Sequence, residues 1–134
     1  MNIGQASKRS GVSQRMIRHY ETIGLIPKAA RRDSGYRDYD DRDVHTLRFI
    51  RRARDLGFPI EEIGRLLALW QDRSRASADV KALATARAQE LRRKEEEIRA
   101  MRRTLEDLAS HCHGDRRPDC PILADLAAEG RGDA

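Results

Sequence analysis

The chain has 134 residues, of which 39% are hydrophobic, 37% charged and only 4% aromatic, with a formal net charge of +5. That length holds one modest domain and an extension but not two cores of ordinary size, and the composition points to long polar helices rather than a thick globular interior. No stretch approaches the roughly 18 consecutive apolar residues of a membrane span, and the opening MNIGQASKRSG lacks the apolar segment of a secretion signal, so the expectation is a cytoplasmic protein without membrane contact.

The elements follow in order. Asn2 is a helix-capping residue ahead of Ile3 and Ala6 at helical spacing, and Gly11 stops that helix. Ser13 caps a second helix, which buries Met16, Ile17 and Tyr20 and ends near Gly24; the two make a helix-turn-helix. Pro27, Asp33, Ser34 and Gly35 supply turn chemistry between short flanks that pair as a hairpin, a candidate wing. Val44, Leu47, Ile50 and Leu56 then share one helical face, and Pro59 starts a helix carrying Ile60, Ile63, Leu66, Leu67 and Trp70. A polar break, QDRSRASAD, leads into a helix from Ser77 to about Ser110 without Pro or Gly. Its heptads read Ser77, Ala84, Leu91, Ile98 and Leu105 at one position and Val80, Arg87, Lys94, Met101 and Leu108 at the other. Such a narrow apolar stripe calls for cover, most economically by a second copy in a homodimer. A polar loop follows, and Pro121 opens a two-turn helix with Ile122, Leu123 and Leu126 before a Gly-rich tail.

The excess positive charge lies in residues 1–70, which hold 14 Lys and Arg against 9 Asp and Glu, whereas residues 71–134 hold 13 of each. A localised basic surface is the footprint of a polyanion-binding protein, and a helix-turn-helix lays its second helix in the major groove of duplex DNA. Gln14, Arg15 and Arg18 lie opposite Met16 and Ile17 and are the candidate contacts from that helix; Arg31, Arg32, Tyr36 and Arg37 surround the tip of the wing.

Cys112 and Cys120 are the chain's two cysteines, in HCHGDRRPDC. In a reducing cytosol they read as metal ligands, redox groups or buried fillers rather than a permanent disulfide. Two thiolates close on one soft ion, copper(I) or a relative such as silver or gold, because sulfur is polarizable and a monovalent d¹⁰ ion is content with two strong donors. Cys120 stands just before Pro121, at the N-cap, where unpaired N–H groups lower a thiol's pKa. His111 and His113 keep tetrahedral zinc open, although ligands so close in H-C-H converge poorly on one ion. A reversible disulfide switch and, in another class, a small thiol peroxidase are the alternatives. The peroxidase needs a pocket and a positioned base, for which no motif is present, so the expectation is not an enzyme.

NIGQASKRSGVSQRMIRHYETIGLI, then GYRDY and RRARDLGFPIEEI, resembles the MerR family of bacterial transcription regulators over essentially the whole chain. The resemblance implies a mainly α fold: a winged helix-turn-helix DNA-binding domain at 1–70, a linker and long antiparallel coiled-coil dimerisation helix at 71–110, and a metal-binding loop, two-turn helix and tail at 111–134. It maps helix contacts onto Arg15, Arg18 and Tyr20, wing contacts onto Arg31, Tyr36 and Arg37, and a backbone contact onto Arg54, while His19 stands where the family more often has an aromatic. It implies a dimer that bends and untwists double-stranded promoter DNA so that RNA polymerase engages it, a use of deformability rather than base contact. The loop with its following proline is similar to the family's copper-responsive branch, whose targets are efflux and detoxification genes. There, a serine matching Ser77 replaces the cysteine that mercury and zinc sensors use. The partner's helix N-terminus and Lys81 would offset the negative charge of a bis-thiolate site, which is costly to bury unpaired.

Overall fold

The computed structural model describes residues 1–31, 35 and 37–128, with backbone alone at positions 30 and 31. Its elements are α1 (Ile3–Ser10), α2 (Gln14–Thr22), β1 (Ala30–Arg31), β2 (Arg37–Asp38), α3 (Asp41–Asp55), α4 (Ile60–Gln71), α5 (Ser77–His111) and α6 (Pro121–Ala127). They group into two compact units, Met1–Arg87 and Ala88–Ala134.

Local chemistry sets the helix ends. The Asn2 side chain accepts from the Gln5 N–H at 2.8 Å while the Asn2 N–H donates to Gln5 Oε1 at 2.9 Å, a reciprocal cap that satisfies two otherwise orphan donors. Gly11 ends α1 at φ 74°, and the Arg51 guanidinium lies directly over it, so any side chain there would meet both backbone strain and that cation. Ser13 Oγ accepts from the Met16 N–H at 3.2 Å to start α2. Asp40 and Asp43 repeat the reciprocal cap at α3, at 2.9 and 3.0 Å.

Packing then follows the stripes. Ala6 of α1, Ile17 and Tyr20 of α2, Val44, Leu47 and Ile50 of α3, and Ile63 and Leu67 of α4 form one buried cluster, with α3 packed against α1 and α4. Each fully buried Leu or Ile contributes roughly 1.5–3 kcal/mol. Phe49 and Trp70 stack beside it, centroids 4.5 Å apart. β1 and β2 pair antiparallel, Ala30 opposite Asp38 and Arg31 opposite Arg37, so the wing is a short hairpin with Gly35 at φ 85° in its turn.

The first unit extends past residue 70 because the opening turns of α5 belong to it. Arg87 Nε donates to the Leu56 carbonyl at 3.2 Å and its guanidinium covers Gly57. Leu83 and Ala82 face Ala68 and Leu69 of α4 across a shallow groove. This explains a polar residue at a heptad position: Arg87 is turned onto a carbonyl of its own domain rather than set in a seam. In the second unit none of the described side chains is buried. Its stripe is open, with Ile98 61% and Leu105 58% exposed and Leu91 and Met101 beside them.

Candidate nucleic-acid interface and metal centre

The outer face of α2 carries the basic residues because its inner face is spent on the core. Ile17 and Tyr20 are buried, and Gln14, Arg15 and Arg18 are exposed on the other side. Arg18 lines a cleft of about 210 Å³ with Asn2, Ile3, Gly35 and Arg37, so the recognition helix and the wing border one surface. Tyr20, assigned a contact by the resemblance, is 1% exposed. Its ring is core, and its hydroxyl accepts from Arg54 Nη1 at 2.8 Å, which ties the last turn of α3 to α2. Arg54, Arg51, Ser13 and Met16 share a second cleft.

The wing residues divide. Arg31 lies in β1, but its side chain falls outside the described residues, as do Arg32 and Tyr36 altogether. Arg37 is half-buried, its Nη1 3.4 Å from Glu21 Oε2, and Tyr39 donates its hydroxyl to Glu21 Oε1. Burial, and then that hydrogen bond to a carboxylate, push the Tyr39 phenol up to about 12. Sequence reasoning passed over Glu21. The signal was there, because it follows buried Ile17 by four residues and so shares its face. It also passed over Arg48, which donates to the Arg9 carbonyl at 3.0 and 2.8 Å, and Arg51; with Lys8 and Arg52 they line a further basic cleft.

At the other end, Cys112 follows α5 and Cys120 precedes α6. Both are half-buried free thiols. Cys120 occupies the N-cap of α6, and its pKa is lowered by the N–H of Leu123 first, then that of Ile122 and the thiol of Cys112, although none comes close enough to close a side-chain cap bond. The loop between is braced by Asp115, which accepts from the Arg117 backbone N–H at 2.9 Å and from its Nε at 2.8 Å. His111 is turned back onto α5, Nδ1 2.7 Å from the Asp107 carbonyl, and His113 is exposed. Among the described residues no group of three or more His, Cys, Asp or Glu is arranged to hold an ion. The candidate donors that the loop carries are the sulfurs of Cys112 and Cys120. Ser77 begins α5 as its first helical residue and Lys81 follows one turn later, both exposed.

Comparison with known proteins agrees with this architecture. The family model for MerR HTH family regulatory proteins matches residues 1–69, and the model for the MerR DNA-binding region matches residues 44–108. The chain is 66% identical over 130 residues to the HTH-type transcriptional regulator HmrR of Sinorhizobium medicae (strain WSM419), covering 97% of this chain and 88% of that protein. It is 40% identical over 127 residues to the HTH-type transcriptional regulator CueR of Escherichia coli O157:H7, covering 95% and 94%. Among solved structures, the transcription regulator PbrR691 from Ralstonia metallidurans CH34 in complex with lead(II) superposes with a TM-score of 0.81 at 35% identity, over 95% of this chain and 99% of that one. These relatives are regulators, which removes the peroxidase reading. With a helix-turn-helix, a wing and a long following helix in the family's order, the chain belongs to the MerR family of transcription regulators.

Proposed function

We propose that the chain is a copper(I)-responsive regulator that acts as a homodimer on promoter DNA. The observation that carries this reading is the pair of half-buried free thiols at the two ends of one short loop, Cys112 just after α5 and Cys120 at the N-cap of α6. The names of its relatives support metal response: the heavy metal-dependent transcription regulators 2 and 1 of Rhizobium meliloti (strain 1021) are 65% and 61% identical to it. Sulfur softness and the resemblance to the copper branch select copper(I), with silver and gold as chemical analogues.

Cys120 would supply one sulfur from the N-cap of α6, where the N–H groups of Leu123 and Ile122 lower its pKa, and Cys112 would supply the second. The ion, when bound, contributes the positive charge that holds both sulfurs together and so fastens the loop to the start of α6. The open stripe of Leu91, Ile98, Met101 and Leu105 supports pairing with an antiparallel second copy. That pairing carries the first turn of the partner's α5 toward the loop, where the Ser77 hydroxyl, a poor ligand for divalent ions, and Lys81, a compact cation, favour a singly charged guest. The two recognition helices of the dimer then read two half-sites in the cytoplasm, and RNA polymerase is engaged through the shape of the promoter.

Run-off transcription from a candidate efflux promoter, with copper(I), zinc and peroxide added separately, tests this. Copper(I) should raise the transcript with the wild-type chain and leave it unchanged with Cys112→Ser and Cys120→Ser combined, while both proteins bind the promoter. Activation by zinc alone, or by peroxide alone, replaces the copper reading with a zinc or a disulfide switch.

A further inference from the structure

The recognition helix and the wing meet at one buried carboxylate. Glu21 shares the inner face of α2 with Ile17, and its side chain is 2% exposed. An anion so placed is costly unless paired. Its partners come from the wing: Tyr39 donates to one oxygen, and Arg37 stands 3.4 Å from the other. Arg37 opens β2 and Tyr39 directly follows that strand, and both side chains reach Glu21 of α2. The same Arg37 borders the cleft shared with Arg18 and Gly35. Both oxygens of Glu21 thus face one short hairpin of two residues in each strand, whose far side is held by the Met1 amine on Asp38 at 2.8 Å and on the Tyr39 carbonyl at 2.6 Å, leaving Glu21 as its tie to α2.

We propose that Glu21 is a positioning residue for DNA recognition, setting the orientation of the wing relative to the helix that enters the groove. This rests on the DNA-binding reading of the domain. It makes a prediction of opposite sign to simple electrostatics. Removing a negative charge from a DNA-binding face strengthens phosphate attraction; removing this one lets the hairpin drift and weakens binding. Arg37 then acts through Glu21 as a strut, its Nη1 set against that carboxylate, and the wing meets the phosphates only when that strut is in place.

The test uses the full chain and a duplex selected by the wild-type protein from a random-sequence library. Glu21→Gln keeps an acceptor for Tyr39 but gives up the charge that holds Arg37. Its affinity for that duplex should fall by about tenfold, on the order of the coupling between two charges in contact. The dependence of log affinity on log salt should become shallower by about 0.9 for each phosphate contact the wing gives up. Adding Arg37→Gln in the Glu21→Gln background should cost little more, because the two act as one unit. Unchanged or tighter binding by Glu21→Gln, or full additivity of the pair, overturns the proposal. If Glu21→Gln does not fold, Tyr39→Phe decides in its place, expected to weaken binding and overturning the proposal if affinity is unchanged. Failure of the wild-type chain to select any duplex would instead remove the DNA-binding reading itself.

Discussion

Residues 1–87 and residues 88–128 obey different rules. In the first unit α1 to α4 bury Ala6, Ile17, Tyr20, Leu47, Ile50 and Ile63 against one another, and the basic face of α2 stands ready on a domain that owes nothing to a second molecule. In the second, a long helix shows its apolar stripe to solvent, and a loop carries two half-buried free thiols at its ends. Helices of this length draw most of their stability from packing rather than from propensity. One half therefore packs its apolar residues within a single chain, whereas the other leaves its apolar stripe open for the proposed second copy.

That contrast breaks first in the core. Leu47→Ala should destabilise the first unit by about 2–5 kcal/mol, the cost of lost burial plus a cavity, read as a lowered midpoint in denaturant. A change under about 1 kcal/mol would mean the interior repacks and is looser than its burial indicates. Next comes the stripe. Ile98→Asp should leave the far-ultraviolet spectrum of the winged unit in place while moving the sedimentation mass from dimer toward monomer, and an unaltered mass would show that another surface does the pairing. The smallest effect is in pH. Tyr39 keeps its proton in the native state up to about 12, against an ordinary value of 10.0, so the native chain binds more protons than the unfolded one between those values. Stability of the first unit should be flat below pH 10 and fall as pH rises toward 12, and Tyr39→Phe should remove that dependence in thermal melts.

Much of this was legible in the letters. Asn2, Ser13, Gly11 and Pro59 mark helix ends through chemistry confined to three or four residues, and the structure uses each as its type suggests. The apolar spacing of α3 and α4 gave the core, and the proline after Cys120 gave its position at the head of α6. Partner choice among charges was less readable. Glu21 and Arg37 look like two solvated surface groups in sequence, yet they meet across 16 residues because the hairpin folds back onto α2. Arg87 looked like a flaw in a heptad until the Leu56 carbonyl appeared beneath it. Periodicity tells which face a residue occupies, whereas long-range pairing depends on how whole elements dock, and no short window contains that.

The bond from Arg54 to the Tyr20 hydroxyl carries a quieter implication. The exposed guanidinium on which the family resemblance puts a backbone contact is moored to a ring wedged among aliphatic side chains, so a hold on phosphate made there would inherit the rigidity of the hydrophobic interior. Lesions that merely loosen that interior, far from any nucleotide, should surface as slackened grip on the promoter well before the protein loses its shape.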